Sequence, residues 1–238
     1  MRSKKISVDI RFTRSGCHKL CALRELCGKT TVNAETIPIN SIGALERAAE
    51  VLRAGGVAAF PTDTVYGIGA MAFNSEAVKR LYEIKERPVE KSIPILIGDE
   101  SDAMKVATGM TPTAEKLAKT FWPGGLTIVL LKRPDVPDVV AAGRTIGVRI
   151  PNHEPVRALL RLTGPLAVTS ANRSGGKDSL TAADVLAALG GRIDLLLDGG
   201  ACQGGVPSTV VDCTQEPPTI LRQGPVREEE VRRVLHEG

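Results

Sequence analysis

Short apolar runs alternate with segments of helical periodicity along this chain, and the alternation constrains its fold more than any other feature. Val57–Phe60, Leu126–Leu131 and Leu166–Thr169 are typical of short buried strands. Between such runs, as over residues 45–52, apolar side chains recur at helical spacing. Strands that alternate with helices pack as one sheet covered on both faces. We therefore expect an α/β fold: a single domain with a twisted open sheet of mixed parallel and antiparallel strands, flanked by helices.

Charge divides the chain into two predicted parts, a basic cysteine-containing extension at residues 1–35 and a main domain at residues 36–238. Residues 1–29 carry eight lysines and arginines against two acidic residues, a net charge of +6. The whole chain is only +4, so the remainder is about −2 and is no basic nucleic-acid platform. We expect a solvated extension, with an RNA-binding arm as the alternative.

The extension also holds Cys17, Cys21 and Cys27, with His18 among them. Zinc modules usually pair two such clusters, whereas here there is one, and its spacing is unfamiliar. A metal site at these cysteines stays an open alternative. Five cysteines and no evident signal peptide favour a reducing compartment, so we expect a cytoplasmic protein without a membrane segment.

Several common chemistries are disfavoured by the composition and motifs. Aromatic residues make up 3% of the chain, too few for RNA binding on stacked rings. Neither a P-loop nor a G-x-G-x-x-G motif is present. The three histidines lie in no metalloprotease or triad motif. A P-loop ATPase and a histidine-dependent hydrolase are therefore disfavoured.

The segment Pro61–Gly69 follows a predicted strand, and we interpret it as a loop that binds a ligand. Ligand sites in open α/β sheets lie at such strand ends. Thr62 and Thr64 supply hydroxyls, and the two glycines of the segment allow close backbone approach. The alternative is a tight turn in which Asp63 caps its own backbone.

Three cations lie within seven residues at the end of the next predicted helix: Lys85, Arg87 and Lys91. Pro88 breaks the helix there, which lets side chains two residues apart turn toward one point. Arginine grips phosphate with two bonds, and lysine acts as a point charge. The alternative is a solvated helix end whose cations complement the helix dipole.

Further candidates lie at the ends of later strands. Arg149 needs an anion, which is either a substrate carboxylate or an internal Asp or Glu. Ser170 and Asn172 precede two glycines in a segment suited to cradling an anion. Ser208 opens another strand, and Arg222 ends the last one.

Taken together, these motifs resemble the threonylcarbamoyl-AMP synthase family, the YrdC/Sua5 type, in its short single-domain form. The resemblance covers about residues 37–237 and rests on seven ordered segments: Pro61–Gly67, Lys85–Pro88, Trp122–Thr127, Gly147–Pro151, Ser170–Asn172, Pro207–Val210 and Leu221–Gly224.

The resemblance implies that L-threonine, bicarbonate and ATP react to give threonylcarbamoyl-AMP and pyrophosphate, with Mg²⁺ accompanying ATP. The product would pass to tRNA-modification partner proteins that make N6-threonylcarbamoyladenosine at tRNA position 37. Implied catalytic residues are Lys85, Arg87, Ser170 and Asn172. Implied threonine-binding residues are Thr62, Tyr66, Thr127 and Arg149. Implied ATP-binding residues are Lys85, Arg87, Lys91, Ser170, Asn172, Ser208 and Arg222.

Two alternatives remain beside this function. The first is a module that contacts tRNA or double-stranded RNA without catalysis, for which the basic extension is the supporting feature. The second keeps the fold but transfers the carbamoyl group to another acceptor.

Overall fold

The computed structural model of the chain describes residues 34–236, and residues 33–238 form one compact unit. Ten strands and six α-helices lie in the described part, with short 3₁₀ helices at Glu100–Lys105 and Gly190–Arg192. In chain order they are β1 Glu35–Pro38, α1 Ala44–Arg53, β2 Ala58–Phe60, β3 Gly67–Met71, α2 Ser75–Lys85, β4 Ile95–Leu96, α3 Pro112–Phe121, β5 Leu126–Leu131, β6 Thr145–Arg149, α4 Glu154–Thr163, β7 Leu166–Ser170, α5 Ala182–Leu189, β8 Leu195–Asp198, β9 Thr209–Asp212, β10 Thr219–Arg222 and α6 Glu228–His236.

All ten strands join one sheet in the order β1-β8-β2-β3-β7-β4-β6-β5-β9-β10. The pairs β1/β8, β2/β8, β4/β6 and β5/β9 are parallel, and the other five pairs are antiparallel. The predicted mixed sheet flanked by helices is therefore confirmed. Strands far apart in sequence become neighbours, and their ends bring distant residues together.

Side chains that alternate along the strands feed two hydrophobic cores, one on each face of the sheet. Phe60 packs in the core that holds the apolar sides of α1 and α4. Ala59, its neighbour on the same strand, packs in the core that holds α2, α3, α5 and α6. Successive strand residues point to opposite faces, so this division is the expected one for a covered sheet.

The first two helices begin without a serine cap. The first helix begins at Ala44 after Gly43, whose φ of 79° is left-handed, and no side chain caps it. The second begins at Ser75 itself, and the Asn74 side chain accepts a hydrogen bond from the Ala77 N–H. Asparagine is among the strongest capping residues, so it takes this position.

The prediction of one loop over Pro61–Gly69 is wrong for its last three residues, because β3 begins at Gly67. This strand pairs with β2 and β7. The Phe60 ring and Val168 lie so close to Gly69 that a Cβ there would sit 3.3 Å and 3.0 Å from them. Glycine is generally unfavourable inside a strand because it has no side chain to pack. Here the side chains of Phe60 and Val168 fill that space.

Two predictions concern residues that the structure does not describe. The cysteine-containing extension lies outside residues 34–236 apart from its last two positions, and so do Cys17, Cys21 and Cys27.

None of the helices in the described part combines the length and apolar character that a bilayer crossing requires.

Candidate active site

A cavity of about 140 Å³ opens among the ends of the central strands. One buried water needs roughly 10–15 Å³ on a similar measure, so a small organic molecule fits inside. The lining residues are Thr62, Thr64, Val65, Tyr66, Gly67, Arg87, Pro94, Leu96, Thr127, Arg149, Val168, Thr169, Ser170, Pro207, Ser208 and Arg222. A larger cavity, of about 570 Å³, lies beside α3, α6 and β10 and contains none of the predicted site residues.

Eight of the eleven predicted site residues line the smaller cavity. They are Thr62, Tyr66, Arg87, Thr127, Arg149, Ser170, Ser208 and Arg222. The other three, Lys85, Lys91 and Asn172, do not line it. Segments spread over 161 positions of sequence thus meet at one place, as the resemblance implies.

The loop before β3 places two buried threonine hydroxyls side by side. Thr62 Oγ1 lies 2.9 Å from Thr64 Oγ1 and donates to the Val65 carbonyl at 2.8 Å. The Thr64 N–H donates to Thr62 Oγ1 at 3.2 Å, which fixes the turn by a hydroxyl. Thr64 was predicted to supply a hydroxyl to this loop, but it was not among the threonine-binding residues that the resemblance implies.

Arg149 is paired with an internal carboxylate, one of the two partners that the sequence left open. Its Nη2 lies 2.6 Å from Asp63 Oδ1. Its Nε donates to the Gly124 carbonyl at 2.8 Å, and its Nη1 donates to Thr64 Oγ1 at 3.0 Å. These bonds use three of the five guanidinium N–H groups, so two remain for a ligand in the cavity.

Asp63 holds Arg149 and does not form the tight turn considered as the alternative for its loop. Its Oδ1 also accepts from the Asn152 N–H at 3.1 Å. Burial lowers the pKa of the Arg149 guanidinium, and the Asp63 charge opposes that effect. That the partner is Asp63 could not be predicted from the sequence, because the two residues are 86 positions apart.

Arg87 and Arg222 line the cavity without an ion pair to any described residue. Arg87 donates to the carbonyls of Lys91 and Ser92 at 3.0 and 2.9 Å. Arg222 donates to the Ser208 carbonyl and hydroxyl at 3.0 and 3.2 Å. Burial lowers the pKa of both guanidinium groups. Arg87 is half-buried and Arg222 is exposed. Two cations with neutral partners at one cavity make a site that an anion would stabilise.

A chain of hydroxyls connects Arg222 with the middle of the sheet. Thr127 Oγ1 lies 2.8 Å from Ser208 Oγ, and both residues are buried. Ser208 therefore links a cation at the rim to a hydroxyl on the wall. Such a row of donors and acceptors suits a ligand with several oxygen atoms.

Tyr66 lines the cavity, but its hydroxyl is held elsewhere. The hydroxyl donates to the Gly200 carbonyl at 2.8 Å and accepts from the Gly199 N–H at 3.1 Å. Burial raises its pKa to about 12, so it stays neutral.

Lys91 takes part in the hydrogen bonds near the cavity through its backbone. Its carbonyl accepts from Arg87 and from the Tyr82 hydroxyl.

Lys85 and Asn172 form a buried cluster behind the cavity. Lys85 Nζ donates to the carbonyls of Ser170 and Asn172 at 2.5 Å and to Asn172 Oδ1 at 3.0 Å. Burial lowers its pKa to about 8, and the charge of Arg87 acts in the same direction. This cluster borders the lining residue Ser170 without entering the cavity.

Two glycines close the wall by backbone contact. A Cβ at Gly204 would collide with the Asp63 carbonyl and the Thr64 backbone. One at Gly224 would collide with the backbone of residues 207–209. The β8–β9 loop and the segment after β10 thus press directly against the site loops, and only glycine allows this approach.

Similarity to known proteins extends over most of the chain. The Sua5/YciO/YrdC family model, described as telomere recombination, matches residues 50–224. The threonylcarbamoyl-AMP synthases of Pyrococcus abyssi (strain GE5 / Orsay) and Bacillus subtilis (strain 168) are 43% and 42% identical over 192 and 195 residues. Those matches cover 80% of this chain and 56% of each relative, so the chain spans about half their length.

A solved structure is similar over most of the chain. The crystal structure of P. abyssi Sua5 complexed with L-threonine matches with a TM-score of 0.82 at 40% identity. The match covers 86% of this chain and 61% of that one.

Proposed function

Because the chain belongs to the Sua5/YciO/YrdC family, we propose that it makes threonylcarbamoyl-AMP and pyrophosphate from L-threonine, bicarbonate and ATP. The observation that carries the proposal is the pair Arg87 and Arg222, which line the cavity and form no ion pair among residues 34–236. Beside them lies a cavity of amino-acid size. Relatives named threonylcarbamoyl-AMP synthase support this function.

L-Threonine occupies the cavity in this proposal. The two remaining N–H groups of Arg149 take its carboxylate. Its side chain lies among Thr62, Thr127 and the apolar wall of Pro94, Leu96 and Val168. A P. abyssi relative has been solved with L-threonine, which favours the same ligand here. ATP exceeds the cavity volume, so its phosphates lie across the rim at Arg87 and Arg222.

The chemistry needs little proton transfer by the protein. The threonine amine condenses with bicarbonate to give a carbamate and water. A carbamate oxygen then bonds to the α-phosphorus of ATP while the bond from that phosphorus to the β-phosphate oxygen breaks, which releases pyrophosphate. The nucleophile is already anionic, so positioning and charge neutralisation supply most of the rate.

Mg²⁺ enters with ATP in this proposal. Residues 34–236 bring no three His, Cys, Asp or Glu side chains together, while their cations face the rim. That donor set fits a metal carried by phosphates better than one caged by protein. Bound with the phosphates at Arg87 and Arg222, Mg²⁺ would neutralise part of their charge.

The test is pyrophosphate release from ATP and Mg²⁺, with L-threonine and bicarbonate supplied together or omitted singly. Release that needs both co-substrates supports the synthase. Release that needs bicarbonate but not threonine would indicate another acceptor. No release, combined with salt-dependent RNA binding, would favour the RNA-binding module. Transfer to tRNA by partner proteins is a further part of the proposal, measured by adding them.

Arg87→Ala is the variant that tests the phosphate assignment. We expect loss of pyrophosphate release with an unchanged unfolding transition, because Arg87 bonds only to backbone carbonyls. Arg133→Ala is the matched control, since Arg133 is exposed and pairs with Asp135 outside the cavity. A folded, fully active Arg87→Ala protein would remove Arg87 from the site.

A further inference from the structure

Lys85 is the most buried charged side chain beside the active site, at 1% exposure. It is the last residue of α2, and its ammonium group faces protein rather than the cavity. Arg87, two residues later, lines the cavity. The backbone reverses between them at Glu86, whose φ is 53°. The Lys85 ammonium group therefore lies inside the protein, whereas the Arg87 guanidinium group lies at the cavity.

The ammonium group has three N–H donors, and three oxygen acceptors lie around it. These are the Ser170 carbonyl, the Asn172 carbonyl and Asn172 Oδ1, at 2.5, 2.5 and 3.0 Å. Every donor is therefore used within the protein. A phosphate oxygen could reach Nζ only by displacing a buried carbonyl, which would leave that carbonyl without a partner at a cost.

The backbone of Lys85 also contacts the segment of residues 170–176. The Lys85 carbonyl accepts from the Ser174 N–H at 2.9 Å. Asn172 continues the network, since its Nδ2 donates to the Gly176 carbonyl and its Oδ1 accepts from Ser170 Oγ, both at 2.6 Å. Lys85 thus fastens residues 170–176 to the end of α2.

We propose that Lys85 is a positioning residue, which acts on the reaction by fixing the Ser170–Asn172 turn and does not touch the nucleotide. Arg87 and Arg222 are the groups that contact phosphate. This inference rests on the proposed function for its catalytic part. Its structural part, the fastening of the turn, is independent of any reaction.

Amide hydrogen exchange of the ligand-free protein tests the structural part. Lys85→Met keeps the length of the side chain and removes the charge and donors. We expect faster exchange at the amides of residues 171–176, with the rest of the sheet unchanged. Arg87→Met, the matched control, should leave those amides unchanged. Unchanged exchange in Lys85→Met would overturn the proposal.

Kinetics test the catalytic part. Lys85→Met should lower kcat by on the order of 100-fold with little change in KM for ATP, because a misplaced turn costs rate. Arg87→Met should raise KM for ATP. In a double-mutant cycle, adding Asn172→Ala to Lys85→Met should cost little more than either change alone, because both release the same turn. Additive effects, or a large rise in KM for ATP in Lys85→Met, would contradict a positioning role.

Two provisions keep the test decisive. If Lys85→Met fails to fold, Asn172→Ala alone removes one acceptor and should still speed exchange at the 171–176 amides. If the wild-type protein releases no pyrophosphate, the proposed function fails while the exchange result stands. Faster exchange with no reaction would thus keep the fastening role and remove the catalytic one.

Discussion

At the scale of single residues, the buried pair of Asp63 and Arg149 is where a small change should cost most. Asp63→Ala would leave the Arg149 guanidinium, 5% exposed, with only neutral partners. Removing one member of a buried pair costs about 3–5 kcal/mol. We expect a loss of about 3 kcal/mol in the free energy of unfolding, measured by urea denaturation.

The control for that change is Asp135→Ala, whose partner Arg133 is exposed. Exposed pairs contribute little, so no measurable change in stability is expected there. Equal stabilities for the two variants would show that Arg149 is solvated once Asp63 is gone.

The difference in stability between the wild type and Lys85→Met should depend on pH. Burial holds its folded pKa near 8, below the unfolded value of 10.5. Between those values the unfolded chain binds more protons, so wild-type stability rises with pH. Arg87 and Asp178 are the charged neighbours, with opposite effects on the lysine pKa. Relative to Lys85→Met, the wild type should gain unfolding free energy from pH 8 to 10.5, by urea denaturation; a constant difference would contradict the shift.

Single residues also show what sequence alone can and cannot predict. Thr62, Arg87, Thr127 and Arg149 were predictable because family motifs carry them. Asp63 was within a motif but its role was not predicted, because its partner is brought near only by the sheet. Lys85 was predicted as a phosphate ligand. In the structure its three N–H donors are bonded to three oxygen atoms of the protein, which no sequence motif indicates.

At the scale of elements, β3 depends on glycine where most strands avoid it. Gly69→Ala would place a methyl group 3.0 Å from Val168 and 3.3 Å from the Phe60 ring. Overpacking of this kind costs about 1–3 kcal/mol. We expect that loss in chemical denaturation, and partial recovery when Val168→Ala is added to Gly69→Ala.

Gly143→Ala is the comparison, because nothing lies within 4 Å of the added methyl and the backbone is not left-handed. It should be neutral or slightly stabilising. A Gly69→Ala protein as stable as Gly143→Ala would mean that Phe60 and Val168 move aside without cost.

Apolar periodicity predicted most elements because it reports burial directly. Leu126–Leu131 has the same bounds in the structure as in the prediction. The strand β3 was missed because Gly67 and Gly69 carry no apolar side chain for periodicity to detect. Its strand character comes from neighbours on β2 and β7, which are long-range information.

At the scale of the whole molecule, the cavity belongs to strands from both halves of the chain. Residues of β3, β5, β6, β7 and β10 line it, so a ligand binds only when the sheet is complete. We expect L-threonine at 100 times its Kd to raise the free energy of unfolding by about 2.7 kcal/mol. D-Threonine is the control. Equal effects of both enantiomers would contradict a specific site.

The strand order is the part of the fold that sequence left undetermined. Alternation of strands and helices predicted a mixed sheet, but many orders satisfy it. The order observed depends on pairings such as β1 with β8, residues 160 positions apart. Hydrophobic pattern carries no information on which strand is the neighbour of which.

The backbone contacts at Gly204 and Gly224 have a consequence for altering substrate choice. A library that randomises Gly204 would mostly yield proteins whose wall cannot close, since any side chain there meets backbone. Variation at Leu96, Thr127 or Val168 changes the cavity surface and leaves those contacts intact. Substitutions for altering substrate choice are therefore better made at these strand positions than at the two loop glycines.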